Sequence, residues 1–521
     1  MTSVKLSSAS DFITPSLACV KPVQIDASKK NRVLRIENED GTSSLAAEEA
    51  PKVAKVTLND CLACAGCITS AETVLVEQQS IGEFERMLSS AGASYDMVVI
   101  SLSAPARAAI AVHCGLGLRE THGRLSGFLK SIGCHSVLDC GVATDLGLMQ
   151  SAAEFVHRFR ASAADAARAT SARATSGAST AADCGVVDVS DASSSAVASA
   201  LPLPLLTSSC PGWVCYAEKM VGDSVLPYLS RVKSPQQIAG TLIKYAYAAS
   251  CGVAPERVCH VSVMPCFDKK LEASRDDFFN PSAGPNGTRD VDCVLSSAEL
   301  LTLLESRGCQ SLSAVPGCDP DVVPPYSGLS WSADANDGGG VAGFTYAAPG
   351  ASGGTAEFVF RVAAKELFGV NVPPGPLPWV QGKNSDLHEL TLDHSGSTVL
   401  RFCRAYGFRN IQNVVRRVKS GKCPYQLVEL MACPGGCANG GGQPRPPKGE
   451  ATTRAATVES ALVNPAETKA AWPLDRPAVQ AFYAEGGFLA GGPYAEPCQR
   501  HLLTAFHAVD PSKQNPLTIS W

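Results

Sequence analysis

What this sequence lacks narrows it before what it contains does. It has no run of like charge and no basic stripe, and its formal net charge is -5, so nucleic acid is not an expected partner. It has no long apolar run either. The most hydrophobic stretches, Met97 to Leu102 and Leu201 to Leu206, fall far short of the ~20 residues a bilayer span needs, and no membrane partner is expected. The opening MTSVKLSSAS lacks the charged start, apolar core and cleavage site of a signal peptide. The first 31 residues contain no Arg, where a transit peptide would be rich in it. The expectation is a cytosolic protein, and a nuclear pool is compatible with it. The histidines form no H-x3-H pair with carboxylates, Gly338 to Gly340 follows no strand as a phosphate loop would, and there is no internal repeat.

Cysteine, by contrast, is abundant, with 21 in the chain. Cytosolic glutathione keeps thiols reduced, so disulfides do not explain the number. Many of these thiols are expected to be small buried hydrophobes. This applies to Cys114, Cys134, Cys140, Cys251, Cys259, Cys293 and Cys403, which sit in or beside apolar segments, and Cys215 reads as a helix-face thiol. Cys184, Cys309, Cys318, Cys423 and Cys498 have no neighbour at ligand spacing. The informative cysteines are the grouped ones.

At 521 residues the chain is too long for one simple core, and two or more packing units are expected. Residues 1–92 are polar and carry two cysteine-bearing segments. From there, strand-like and helical patterns alternate. Met97 to Leu102 reads as a buried strand and Ala104 to His113 as its helix. Ser136 to Asp139 is a strand, followed by a helix around Leu146 to Arg160. A helix at Gln236 to Cys251, strands at Val258 to Val263 and Val291 to Leu295, and helices at Ala298 to Ser306 and Ala356 to Phe368 continue the series. Strand-like segments return at Thr398 to Phe402 and Gln426 to Met431. This alternation predicts an α/β fold of parallel sheet covered by helices. The expected divisions are an N-terminal cysteine-bearing region (1–92), a first lobe (93–255), a second lobe (256–443) and a C-terminal segment (444–521). Within the lobes, 161–200 reads as a disordered insertion and 311–352 as a loose one.

The first grouped motif is Cys61-Leu-Ala-Cys64-Ala-Gly-Cys67. Three thiolates at C-x2-C-x2-C spacing wrap a cubane cluster as in bacterial ferredoxins, but the fourth cysteine that follows in those proteins is missing here. A four-iron cluster would need one distant thiolate, and Cys19 is the only cysteine upstream. Zinc, held with an interaction role, is the alternative at this position, although it would favour a second C-x2-C pair.

The second constellation is dispersed over Thr207-Ser-Ser-Cys210-Pro-Gly-Trp213, Met264-Pro-Cys266-Phe-Asp-Lys269 and Glu429-Leu-Met-Ala-Cys433-Pro-Gly-Gly-Cys437-Ala-Asn-Gly-Gly-Gly-Gln443. Two of the three follow expected strands, and ligands in open α/β sheets sit where the loops after the strands converge. The glycines around Cys433 and Cys437 would let backbone N–H groups approach an inorganic core, and Lys269 would offset its negative charge.

Together these segments resemble the iron-only hydrogenases, whose catalytic domain carries TSCCPGW, MPCxxK and ExMACPGGCxxGGGQ in the same order. The resemblance runs from about 94 to 443. It implies a two-lobed hydrogenase-like fold in which Cys210, Cys266, Cys433 and Cys437 bind a [4Fe-4S] cluster. In true hydrogenases the residue matching Cys437 also bridges to a two-iron subsite. The chain departs from the motif at Ser209, where hydrogenases have a thiol that relays protons. A serine hydroxyl titrates too high for that work at neutral pH.

Asp11-Phe-Ile-Thr-Pro-Ser-Leu-Ala-Cys19-Val-Lys-Pro22 is similar to the eukaryotic hydrogenase-like branch, which includes the prelamin-A-recognition-factor-like proteins. That resemblance implies a second [4Fe-4S] cluster on Cys19, Cys61, Cys64 and Cys67. It also implies a non-enzymatic role in cytosolic iron–sulfur assembly, linking the early cluster scaffold to the late targeting complex, with no catalytic residues. The ending Ile519-Ser520-Trp521 resembles the C-terminal tripeptide that recruits proteins to that targeting complex. A terminal aromatic with a free carboxylate suits pocket-and-backbone capture.

Overall fold

The computed structural model describes residues 76, 78–176, 201–319, 321, 344–348, 350–373, 375–445 and 454–509. The chain divides into two compact units, 1–73 and 74–521, and the described residues all belong to the second. Cys19, Cys61, Cys64, Cys67 and the terminal Ile519, Ser520 and Trp521 therefore lie outside the described residues.

In chain order the elements are α1 (Ile81–Ser89), β1 (Met97–Leu102), α2 (Ala104–Cys114), α3 (Leu118–Ser131), β2 (Ser136–Asp139) and α4 (Gly141–Ser176). Next come β3 (Leu205–Thr207), α5 (Pro211–Tyr216), α6 (Pro235–Thr241), β4 (Val258–Met264), α7 (Asp268–Ala273), β5 (Cys293–Ser296) and α8 (Ser297–Ser306). After them follow β6 (Phe344–Tyr346), α9 (Thr355–Phe368), β7 (Val380–Gln381), β8 (Leu387–His394), β9 (Ser397–Tyr406), α10 (Phe408–Lys419) and β10 (Leu427–Met431). The last are α11 (Arg454–Leu462), β11 (Thr468–Ala470), α12 (Pro477–Tyr483) and α13 (Glu496–Leu502).

Two sheets organise the body. The first has the order β2-β1-β4-β5, with every pairing parallel. Its central strands, Met97-Val-Val-Ile-Ser-Leu102 and Val258-Cys-His-Val-Ser-Val-Met264, are buried at every residue, as expected for strands covered by helices on both faces. The second sheet has the order β3-β10-β9-β8-β7. It is parallel through β3, β10 and β9 and antiparallel from β9 to β7. The β8–β9 hairpin turns on Ser395 and Gly396, both at positive φ, which matches the twist of a two-residue turn.

The sheets interleave along the sequence. The first takes strands on either side of β3, and β3 leaves it to pair with β10 through Leu205↔Leu427 and Thr207↔Glu429. The expected division at 255 therefore falls between no two lobes. Strand pairing is set by burial across the whole chain, and a local pattern does not report it.

Further expectations are corrected. Residues 161–176 are helical, not disordered, because they extend α4. Alanine, which dominates there, is the best helix former, and extending an existing helix needs no new nucleus. Residues 177–200 lie outside the described residues. Within 311–352, Leu312, Val315 and Phe344 are buried, and β6 pairs with β11. The outer divisions move as well. Phe84 and Met87 of α1 enter the core of the first sheet, so 76–92 belongs to the main body. So does the C-terminal segment, through Val479, Phe482, Cys498 and Leu502. Cys251, expected in the core, is exposed at a helix end.

Candidate metal centre

Three loops leave the carboxyl ends of β3, β4 and β10, and each carries a cysteine of the dispersed constellation. After β3, the Ser208 hydroxyl donates to the Leu430 carbonyl and accepts the Cys210 N–H at 3.0 Å, which fixes the turn. Pro211 then starts α5, whose Trp213 is fully buried in the core beneath. The Cys210 Sγ accepts the Ala432 N–H at 3.4 Å, joining the first loop to the third.

Cys266 follows Pro265 at the end of β4. The Gly442 N–H donates to the Pro265 carbonyl at 2.9 Å. A Cβ on Gly440 would lie 2.3 Å from that same oxygen, and one on Gly442 would lie 3.2 Å from the Cys266 Cα. These glycines are required by the close approach of two loops. They let the third loop press against the loop of Cys266. Gln443 locks the junction. Its amide nitrogen donates to the carbonyls of Pro105 (3.1 Å) and Cys437 (3.4 Å), and its amide oxygen accepts the Ser297 hydroxyl.

Cys210, Cys266, Cys433 and Cys437 all line one cavity of about 90 Å³, together with Ser209, Asp268 and Lys269. A buried water needs only ~10–15 Å³, so the space suits something larger. The thiols surround the cavity without closing on a point. Among the described residues, no three His, Cys, Asp or Glu side chains converge as a single ion would require. A lone zinc would draw its thiolates to ~2.3 Å. Four cysteines on one cavity are a donor set that fits a polynuclear iron–sulfur core, which takes one thiolate per iron.

Burial governs the electrostatics. It pushes the Cys210 and Cys266 thiols up and the Cys437 thiol up to about 12, and neighbouring cysteines add to the shift at Cys266 and Cys437. Burial also raises Asp268 to about 6. Lys269, expected to offset cluster charge, donates to Glu272 Oε2 at 2.8 Å within the buried wall. Its positive charge is shared with that carboxylate.

The sequence reading missed Ser352 and Tyr406. Ser352 arrives on the loop after β6 and accepts the Cys437 N–H at 3.2 Å. Tyr406 ends β9 and donates to Glu429 at 2.7 Å. Neither carries a local sequence signal, because each reaches the site through tertiary packing alone.

Two parallel-cored sheets whose strand-end loops bring four cysteines around one cavity define an iron–sulfur protein of hydrogenase-like fold. A family model described as "Iron only hydrogenase large subunit, C-terminal domain" matches residues 96–441, and the chain belongs to that family. Over its full length it is 39% identical to the mouse (Mus musculus) protein named cytosolic iron-sulfur assembly component 3, covering 99% of this chain and 98% of that one. It is also 39% identical to the Arabidopsis thaliana protein NAR1, over 97% and 96% of the two chains. Among solved structures, a variant of the [FeFe]-hydrogenase HydA1 from Chlamydomonas reinhardtii superposes with a TM-score of 0.62 at 25% identity. That match covers 82% of this chain and 98% of the hydrogenase.

Proposed function

We propose that this chain is a component of the cytosolic iron–sulfur protein assembly machinery, holding two [4Fe-4S] clusters and linking cluster synthesis to delivery. The observation that carries this is the full-length match to relatives named as cytosolic iron–sulfur assembly factors. The internal cluster would be held by Cys210, Cys266, Cys433 and Cys437, and the other by Cys19, Cys61, Cys64 and Cys67. Bound there, the clusters would supply one-electron storage and exchangeable iron and sulfide. The protein's own part is to hold the thiolates, exclude water from the internal site and position partners. No described helix is long and apolar enough to cross a membrane.

On this reading the chain is not an enzyme. Ser209 lines the cavity at the place where the hydrogenase motif has its proton-relaying thiol, and a serine cannot titrate in that role. The fully matured, anaerobic protein given reduced viologen is expected to evolve no hydrogen, and sustained evolution would restore the hydrogenase reading. The partners on this reading are the early cluster scaffold and the targeting complex, the latter bound through Ile519, Ser520 and Trp521. Deleting Trp521 should abolish binding to the purified targeting complex in a titration while iron content stays at the wild-type level. Unchanged affinity removes the tail from the account.

A further inference from the structure

A second cavity, of about 30 Å³, adjoins the one that the four cysteines line. Ser209, Cys210 and Pro211 line both, and this short ridge is all that the two linings share. The second cavity has two kinds of wall. One belongs to the body of the protein. Glu272 and Phe278 in it are buried, Lys233 pairs with Asp290 at 2.8 Å, and Arg275 grips the buried Glu218 through two bonds of 2.7 Å. The other wall is Thr504 and Phe506, and it belongs to the segment 503–509.

That segment lies in neither helix nor sheet, and it makes a single bridge, from Leu503 to Val232. It is fastened on both sides of the cavity. The Thr504 N–H donates to the Arg231 carbonyl at 2.7 Å. The His507 N–H donates to Glu218 Oε1 and the Val509 N–H to the Glu218 carbonyl, each at 3.1 Å. Between these points Phe506 packs, only partly buried, on the cluster of side chains that contains Cys210 and Trp213, with the Arg275 guanidinium 5.9 Å from its ring centre. No residue from 503 to 509 is buried.

The free energy of a local opening follows the contacts that it breaks. Lifting 503–509 gives up one partly buried aromatic ring and a few hydrogen bonds near solvent, and it breaks no pairing within either main sheet. Moving the Cys210 loop instead would break its ties to Leu430 and Ala432 on and after β10. The segment is therefore the wall that opens first.

Resting on the iron–sulfur reading of the internal site, we propose that 503–509 is a removable strap whose lifting sets the rate at which iron enters and leaves that site past Cys210. With the strap lifted, the second cavity joins solvent, and Cys210 is the one site thiolate that lines it. Iron leaves in the ferrous state by exchanging its thiolate and sulfide ligands for those of an acceptor, with no electron transfer.

The test is made on anaerobic full-length holoprotein given an excess of the ferrous chelator bathophenanthroline disulfonate. The phase of iron release to follow is the one that is absent in Cys433→Ala. In Phe506→Ala that phase should run roughly tenfold faster, the effect of truncating a partly buried phenylalanine. Hydrogen exchange should quicken in 503–509 and stay unchanged in β1 and β4. Tyr494→Ala, which removes an exposed aromatic that lines neither cavity, should alter neither measurement. Faster exchange in the strap with an unchanged rate of iron release overturns the proposal. So does iron release that rises only in step with exchange in β1 and β4, because the whole body would then be what opens. Wild-type protein with no iron that depends on Cys433 overturns the cluster reading, and the iron route with it. The strap has its own check in the metal-free full-length chain, where Phe506→Ala should speed alkylation of Cys210 by N-ethylmaleimide more than that of Cys266. Equal rates in variant and wild type overturn the strap whatever the metal content.

Discussion

Replacing Cys433 with alanine lowers iron from about eight atoms per chain to about four, with an equal loss of acid-labile sulfide. This is the expected result for protein purified anaerobically, and it follows from geometry. The four thiols come from three loops around one cavity, which Cys140 also lines from the end of β2 outside the matched motifs. With three thiolates, one iron of a cubane lacks its protein ligand. Cys215→Ala is the control. Cys215 follows Cys210 by five residues but lines an adjoining, smaller cavity rather than this one, so its loss should leave iron unchanged. Iron that persists in Cys433→Ala and falls in Cys215→Ala would move the ligand set. The same geometry fixes a pH dependence. Burial raises the Cys210, Cys266 and Cys437 thiols, so protons compete with metal across the neutral range, and affinity should fall as pH falls.

Arg476→Leu is expected to cost about 3–5 kcal/mol of stability at pH 7.5 in anaerobic equilibrium unfolding, because it leaves a buried carboxylate uncompensated. Arg476 stands at the start of α12 and pairs with Asp145 on α4, and neither side chain is exposed by more than 3%. Asp145 also accepts the Ala347 N–H at 2.9 Å. Burial pushes Asp145 up to about 6 even with the arginine beside it. The sign then follows from linkage. A carboxyl whose folded value lies above its unfolded value of ~3.9 favours the folded state at low pH, and that contribution is lost as pH rises through about 6. Without Arg476 the folded value rises further, so the deficit should be smaller at pH 5.5 than at pH 7.5. A loss below ~1 kcal/mol that does not change with pH would mean that water reaches Asp145.

Much of this was legible in the sequence, for identifiable reasons. β1 and β4 are mostly apolar runs, interrupted by Ser101 in β1 and by His260 and Ser262 in β4, and runs of that kind are buried on both faces. The four site cysteines stand in three motifs that are weak singly but specific in their shared order, the stretch from Glu429 to Gln443 most of all. β8 was missed because Leu387-His-Glu-Leu-Thr-Leu-Asp-His394 is half-exposed at the side of a sheet and shows little more apolar character than a loop. The Ala-rich end of α4 was misread because composition was weighed without the helix it continues. The return of β3 to β10 could not be read locally, since the pairing joins positions over two hundred residues apart. Ser352 and Tyr406 were hidden for the same reason. What Gly440 and Gly442 approach is visible only once the loops are packed.

The pairing of β3 with β10 has a consequence for the order in which the protein can be made. The sulfur of Cys210 and the backbone amide that meets it are separated by 222 residues. At ~5–20 residues per second of synthesis, the first ligand waits roughly 11–44 s for that partner to be made. No shorter nascent chain can present all four thiols, because Cys437 lies further on still. An iron–sulfur group held by these cysteines would therefore be loaded late in the life of the chain, and it would mark a polypeptide whose two sheets have already closed on each other.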